Sequence, residues 1–428
     1  MMKKVAVIGA GAAGINAARH LKERQDVFDF TVFEQTNSVG GTWFYTDHVG
    51  VNPYTGIPIH SSMYCDLRTN LPIECMAFPG FPFPSPKAGQ SFAHHSVILK
   101  YLESFCSHHQ LEKFIKYNKR VTEVKPILKG QSISWDVYVE DIHDKEIFHH
   151  SFDAVMICTG RYSTPMVPPL PGIEKYAGRV THSHDYRTAH SFTGETVLVL
   201  GAGPSGIDIS LEIATVAKRV YLCHNQLSQL KKDFPATICQ EAGILRFDGG
   251  HTVVLKNGKT ISATCVVLCT GYKMTYRFLS AECRVTTDEN VVFPLYKHMF
   301  HADFPSLAFI GLPMRVIPFL VMDYQNRFFL SALDGSVKLP SCSDMRLQAT
   351  IDLENHINAG HAKRHFHCLP NRKMWNYLED IANICGLHKV PQYVKDLYDI
   401  TSKEREYNCK YKDIKIKLLD DGTVRYCY

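Results

Sequence analysis

Val5-Ala6-Val7-Ile8-Gly9-Ala10-Gly11-Ala12-Ala13-Gly14 decides the fold. Four apolar residues read as a buried strand, Gly9, Gly11 and Gly14 make a G-x-G-x-x-G turn, and residues 15–24 continue with helical spacing. The first glycine permits a tight turn, the second lets backbone approach a pyrophosphate, and the third lets helix pack on strand. The helix N-terminus then offers unpaired N–H groups to phosphate oxygens. A second strand, 30–33, ends at Glu34, where a carboxylate can grip ribose hydroxyls. The pattern returns as Thr196-Val197-Leu198-Val199-Leu200 followed by Gly201-Ala202-Gly203-Pro204-Ser205-Gly206, with a helix through Ile213 and a strand over 219–222. Here no acid follows: the chain reads Cys223, His224, Asn225, Gln226. A carboxylate would repel a ribose 2′-phosphate, so its absence is compatible with NADP. Lys231 and Lys232 are candidates for the positive charge, with a plain solvated loop as the other reading. Two dinucleotide sites in one chain suggest one bound and one exchangeable cofactor, flavin and nicotinamide being the usual pair.

Composition narrows the rest. With 45% hydrophobic and 21% charged residues the 428-residue chain is globular, and at roughly 150 residues per domain it makes two or three domains. The net charge of +5 is spread among interleaved signs, which argues against nucleic acid as a partner. The longest apolar run, 316–322, is interrupted by Pro318 and is too short to span a membrane. The 14 cysteines contain no C-x-x-C pair, and Cys158, Cys265 and Cys269 lie in apolar strand-like runs, as expected of reduced thiols in a cytoplasmic protein. Further elements are a proline-rich loop at 78–86, a helix over 95–106, strands near 132–140 and 153–158, a hairpin around Asn257-Gly258, a strand over 265–269, helices around 346–359 and 373–385, and a hairpin at Asp421-Gly422.

Two-dinucleotide flavoproteins divide by what surrounds the flavin. A disulfide reductase needs a redox-active cysteine pair soon after the first glycine loop, and none is present. Instead, Tyr176-Ala177-Gly178-Arg179-Val180-Thr181-His182-Ser183-His184-Asp185-Tyr186 resembles the F-x-G-x-x-x-H-x-x-x-Y fingerprint of flavin-containing monooxygenases, with Tyr for Phe at the first position. Tyr186 favours the N/S-oxygenating branch, since Baeyer–Villiger relatives carry Trp there. The resemblance covers nearly the whole chain. Gly40-Gly41-Thr42-Trp43 is similar to the family's GG-x-W, and His60-Ser61-Ser62-Met63-Tyr64 with Thr69-Asn70-Leu71-Pro72 to its flavin-face segment. Cys158-Thr159-Gly160 and Thr270-Gly271-Tyr272 resemble its two TG linkers, and Gln325 its return to the flavin domain. Two departures stand out: the Arg often found after the second strand of the NADPH domain is replaced by Cys223-His224-Asn225, and the hydrophobic C-terminal anchor of vertebrate members is absent.

The resemblance implies an α/β fold of two Rossmann-like, doubly wound domains: an FAD domain from residues 1–164 and 291–428, with an NADPH domain, 165–290, inserted. It implies FAD contacts from Gly9, Gly11, Gly14, Glu34, Gly41, Thr42, Trp43, His60, Ser62, Met63, Thr69, Val121, Thr159, Gly160 and Gln325. NADPH contacts fall to Tyr186, Gly201, Gly203, Pro204, Ser205, Gly206, Thr270 and Gly271. Asn70 is the implied catalytic residue, its amide working at the flavin–nicotinamide edge, while Tyr176, Gly178 and His182 shape the linker. In such enzymes NADPH reduces FAD, oxygen adds at flavin C4a, and the hydroperoxide, kept from water, gives oxygen to a soft nucleophile. Among family members the chain is most similar to insect enzymes, including those that N-oxygenate plant pyrrolizidine alkaloids. The expectation is therefore N-oxygenation of a tertiary amine, with O2 as co-substrate and no membrane anchor, and with homo-oligomer formation left open. S-oxygenation, Baeyer–Villiger oxidation, an NAD(P)H oxidase and a non-catalytic dinucleotide sensor are the alternatives. The cluster His356, His361, His365, His367 and Cys368 has partial zinc-like spacing, but it also matches a surface element of the family, and no metal is expected.

Overall fold

The computed structural model describes residues 2–84, 90–130, 132–225, 230, 232–419 and 422–427. The opening strand is Lys3–Ile8, its last four residues fully inward, followed by the helix Ala12–Lys22 and the strand Phe28–Phe33. These join a seven-stranded sheet in the order Leu295–Tyr296, Phe300–His301, Leu307–Phe309, Ala154–Ile157, Lys3–Ile8, Phe28–Phe33, Ile115–Lys116. The last five run parallel and the first two antiparallel. One sheet is thus assembled from both ends of the chain. The helix Pro318–Leu333 packs against Ala12–Lys22 and closes the core on that face.

The second strand–turn–helix unit nucleates its own sheet. Five strands, Ile238–Ala242, Arg219–His224, Thr196–Leu200, Cys265–Leu268 and Arg179–His182, lie side by side, all parallel. The chain enters this sheet past Thr164–Pro165 and leaves past Tyr272–Lys273, and these two short strands pair antiparallel. The expected doubly wound α/β fold with two Rossmann-like units is therefore the observed one.

Several elements differ from expectation for identifiable reasons. The helix Cys342–Asn358 starts earlier than 346 because Ser341 caps it, its hydroxyl accepting from the Asp344 amide. A strand at Lys119–Lys129 escapes the sequence reading because a bulge between Val121 and Glu123 shifts the alternation. The apolar run at 316–322 is the start of the helix Pro318–Leu333, with proline in its first turn, where no intrahelical N–H is missed. The hairpin at the tail forms between Lys415–Leu418 and Val424–Cys427. Asp421 of its turn, Ser85 and Pro86 of the proline-rich loop, Gln226 and Lys231 lie outside the described residues. No helix among the described residues is long and apolar enough to cross a membrane, and all 14 cysteines are free.

Candidate active site

Both glycine loops solve the same packing problem. Gly9 adopts φ +103° and Gly201 φ +111°, a region closed to most side chains. A Cβ on Gly9 would stand 2.7 Å from the Cys158 carbonyl oxygen, and one on Gly201 would collide with that of Cys269. Each loop therefore rests on the first residue of a Cys-Thr-Gly connection leaving the neighbouring parallel strand. Gly14 and Gly206 face inward, where a Cβ would overlap the carbonyl oxygens of Gly9 and Gly201 respectively. Both allow close helix–strand packing.

A cavity of about 330 Å³ opens over the first loop. Of the residues expected around a flavin, Gly9, Gly11, Glu34, Gly41, Thr42, Trp43, His60, Val121, Thr159 and Gly160 line it. Gly11 and Gly41 make a bare cradle: a Cβ on Gly41 would come within 3.0 Å of the Gly11 Cα. The Glu34 carboxylate accepts from the Ala10 amide at 2.7 Å and from the Thr36 amide at 2.9 Å, which fixes it at the end of its strand. The Thr42 hydroxyl, on a residue of the cavity wall, is buried without a partner within the protein. His60 is held below the ordinary histidine value by burial, so its ring is neutral. Carboxylate, bare glycine backbone, orphaned hydroxyl and apolar walls fit a flavin dinucleotide. The second loop, with no acid at its strand end, fits a dinucleotide bearing a 2′-phosphate.

The other expected residues lie elsewhere. Gln325 is fully buried one layer behind the cavity; its Oε1 accepts from the Gly311 amide at 2.8 Å and its Nε2 donates to the Tyr377 hydroxyl at 2.8 Å. It shapes the wall through Gly311, which faces the cavity. Ser62, Met63, Thr69 and Asn70 are not part of the cavity wall, nor are Tyr186, Thr270, Gly271 and the second loop, which stand on the other sheet. The Thr69 hydroxyl is also buried and unpartnered. Asn70 Oδ1 accepts a 3.0 Å hydrogen bond from the Tyr411 hydroxyl. Tyr411 carries no sequence signal, because the contact joins residues far apart in the chain.

The fingerprint residues pack within the second unit, which Tyr64 and Lys412 reach from the rest of the chain. The Tyr176 hydroxyl donates to the Ala263 carbonyl at 2.7 Å, and a Cβ at Gly178 would strike the Tyr176 ring. His182 Nδ1 accepts from the His184 amide at 3.0 Å, and burial lowers this imidazole to about 4, so it is neutral and a poor proton donor. Tyr186 donates at 2.8 Å to Glu212, on the helix that follows the second glycine loop, while Tyr64 donates at 3.1 Å to Asp208 on the same helix. Lys412 closes the group with an ion pair to Asp208 at 2.5 Å. Lys232, one of the two candidate phosphate ligands, donates through its ammonium to the Asn408 carbonyl at 3.1 Å.

The histidine cluster is packed. His367 Nε2 accepts from the Val292 amide at 3.0 Å, its Nδ1 lies 3.0 Å from that of His298, and His356 Nε2 lies 2.9 Å from the Ala362 carbonyl oxygen. Among the described residues no group of three or more His, Cys, Asp or Glu side chains is placed to hold a metal ion.

Comparison with known proteins agrees with this geometry. The family model for flavin-binding monooxygenase-like proteins matches residues 2–232 and 237–402. Flavin-containing monooxygenase FMO GS-OX-like 4 of Arabidopsis thaliana is 35% identical, over 96% of this chain and 93% of the relative. FMO GS-OX4 of the same plant is 37% identical over 91% and 86%. Among solved structures, S-allyl-L-cysteine S-oxygenase from Allium sativum superimposes with a TM-score of 0.86 at 31% identity, covering 96% of this chain and 95% of that one. Cyclohexanone monooxygenase, at 14% identity and a TM-score of 0.61, shares the fold.

Proposed function

The chain belongs to the flavin-binding monooxygenase-like family, with FAD and NADPH as its cofactors, and from that premise we propose that this monooxygenase oxidises a soft, nucleophilic heteroatom of a small molecule. Reduced flavin supplies activated oxygen when bound; what the chain contributes is binding, orientation and exclusion of water. In this reading the first loop, Glu34 and the Gly11–Gly41 cradle hold the FAD dinucleotide, and the Thr42 hydroxyl serves it as a hydrogen-bond partner. The unit between Pro165 and Tyr272 holds NADPH, while Lys273, Met274, Thr275 and Phe278 line the FAD cavity instead. Asn70 is oriented by Tyr411: with its Oδ1 occupied, its Nδ2 is left to donate toward the flavin–nicotinamide edge. Among the described residues Glu34 is the one carboxylate lining the cavity, and its oxygens already accept backbone hydrogen bonds. That suits transfer to a lone pair, which needs no proton abstraction from substrate.

The observation that carries the reading is the cavity over the first loop, lined by a carboxylate, bare glycines and an unpartnered hydroxyl. Sulfur and nitrogen substrates share this chemistry. The plant S-oxygenase at 31% identity makes a thioether the first substrate to test. A tertiary amine, pyrrolizidine alkaloids included, is the second reading, supported by the fingerprint with Tyr186. The free thiols support a reducing, cytoplasmic setting. The test is flavin absorbance of the purified protein, followed by NADPH consumption in air with a thioether, a tertiary amine and a cyclic ketone. Sulfoxide or N-oxide formed in step with NADPH supports the proposal. Lactone or ester from the ketone alone, or peroxide as the only product throughout, overturns it.

A further inference from the structure

The two glycine loops can be compared residue by residue through their strand registers. In the first, Ile8 pairs with Phe33 and the Gly9 amide donates to the Phe33 carbonyl. In the second, Leu200 pairs with Cys223 and the Gly201 amide donates to the Cys223 carbonyl. His224 therefore stands where Glu34 stands, at the ribose of a bound dinucleotide, and Asn225 is the next residue outward. No positive charge in Cys223-His224-Asn225 attracts a phosphate: His224 Nε2 is engaged with the Gln240 amide oxygen at 3.0 Å, and burial holds its ring below the usual imidazole range.

A cation reaches this point from another part of the chain. Between the strands Thr252–Leu255 and Thr260–Ser262 the chain turns, and Lys256 begins that turn, its amide donating to the Gly243 carbonyl at 2.8 Å. Its ammonium donates to Asn225 Oδ1 at 3.3 Å. Gly243 makes the approach feasible, since a Cβ there would lie 2.8 Å from the same Asn225 oxygen. Two neighbouring cations are committed to carboxylates: Lys259 is paired with Glu241, and Arg246 binds Asp248 through two nitrogens at 2.7 and 2.9 Å. Lys232 reaches instead to the Asn408 carbonyl and the Tyr411 ring. Lys256 is exposed and has no carboxylate partner among the described residues.

We propose that Lys256, steadied by Asn225, recognises the ribose 2′-phosphate of NADPH and so selects NADPH over NADH. The proposal rests on the reading that the second loop holds the nicotinamide dinucleotide. An ammonium carries three N–H donors, and with one on Asn225 two remain for phosphate oxygens. The hairpin thus supplies a charge that residues 223–225 lack.

The experiment uses the FAD-loaded enzyme and two probes differing by the 2′-phosphate, adenosine 2′,5′-bisphosphate and 5′-AMP, with affinities measured by titration calorimetry. Charge-assisted hydrogen bonds of this kind correspond to roughly tenfold or more in affinity. Lys256→Ala is expected to weaken the bisphosphate by about that factor and Lys256→Glu further. 5′-AMP is expected to be unaffected, and Lys256→Arg to retain most of the affinity. The KM for NADPH rises in parallel while that for NADH stays level. An unchanged bisphosphate affinity in Lys256→Ala, an equal loss of both probes, or a selective loss produced by Lys231→Ala instead, overturns the assignment. A parent enzyme that binds neither probe fails differently, by removing the dinucleotide from the second loop altogether.

Discussion

Glu212 allows a prediction whose sign and size follow from its surroundings. It lies on the helix after the second glycine loop, partly buried, facing the Tyr186 hydroxyl, Asp208, Asp66 and Lys412. Desolvation raises its carboxyl from 4.5 to about 7, against the opposing Tyr186 hydrogen bond and with further repulsion from Asp208 and Asp66. Between these two values the folded protein holds a proton that the unfolded chain releases, so stability falls as pH rises through that window. At about 1.4 kcal/mol per pH unit the full loss is roughly 3 kcal/mol, an upper figure because the carboxyl keeps some solvent contact. Glu212→Gln removes the ionisation and keeps an acceptor for Tyr186. The variant should therefore be more stable than the parent at pH 8.5, by up to about 6 °C in Tm at about 2 °C per kcal/mol, and nearly unchanged at pH 5. Thermal unfolding followed by tryptophan fluorescence and by flavin release at both pH values reads this directly. An equal gain at both pH values, or a loss at pH 8.5, would refute the reasoning; the second result would mean that the Lys412 charge outweighs desolvation.

The two inward glycines should separate the cofactors. Gly14→Ala should purify without flavin absorbance, whereas Gly206→Ala should keep its flavin but lose NADPH-driven reduction, as anaerobic stopped-flow would record. Asn70→Ala should retain FAD yet consume NADPH with little product. Tyr411→Phe, which loses one hydrogen bond worth about 1 kcal/mol, should show the same uncoupling several-fold more weakly, measured as peroxide released per NADPH. Asp323 is buried between the first helix and Pro318–Leu333, with His20 at 2.7 Å and Arg327 at 2.9 Å. Burial alone would raise its carboxyl, but these partners and Asn16 hold it below the usual range, so its contribution is lost as pH falls through the acid region. Asp323→Ala leaves His20 and Asn16 without that partner and should cost about 3–5 kcal/mol in urea unfolding.

What the sequence disclosed was local. The units around Gly9 and Gly201 were legible because strand, turn and helix are contiguous, and the glycine spacing is dictated by atoms within the same unit. A minority of the lining residues of the cavity could be anticipated for a related reason: Gly41, Thr42, His60, Thr159 and Gly160 belong to short segments that resemble a family's motifs. Contacts between distant segments were not legible. Tyr411 reaches Asn70, Lys256 reaches Asn225, and Lys412 reaches Asp208 only because the sheets bring those segments together. The helix Pro318–Leu333 was obscured because it is buried on most of its surface, which leaves no apolar–polar periodicity to read. Lys232, a candidate phosphate ligand in sequence, donates to a backbone carbonyl in the distant segment at Asn408, a contact no local pattern announces.

The paired strands Thr164–Pro165 and Tyr272–Lys273 carry a consequence for protein engineering. Residues opposed in an antiparallel pair have their Cα atoms about 4.5–5.5 Å apart, so the two cut ends left by excising everything between them would already be neighbours. A turn of about two residues could rejoin them. The same closeness means that the excised segment has adjoining termini of its own. The inserted unit has one chain crossing in each direction, side by side, and an exchange between related chains would need to keep the side-chain contacts that Tyr64 and Lys412 make with Asp208.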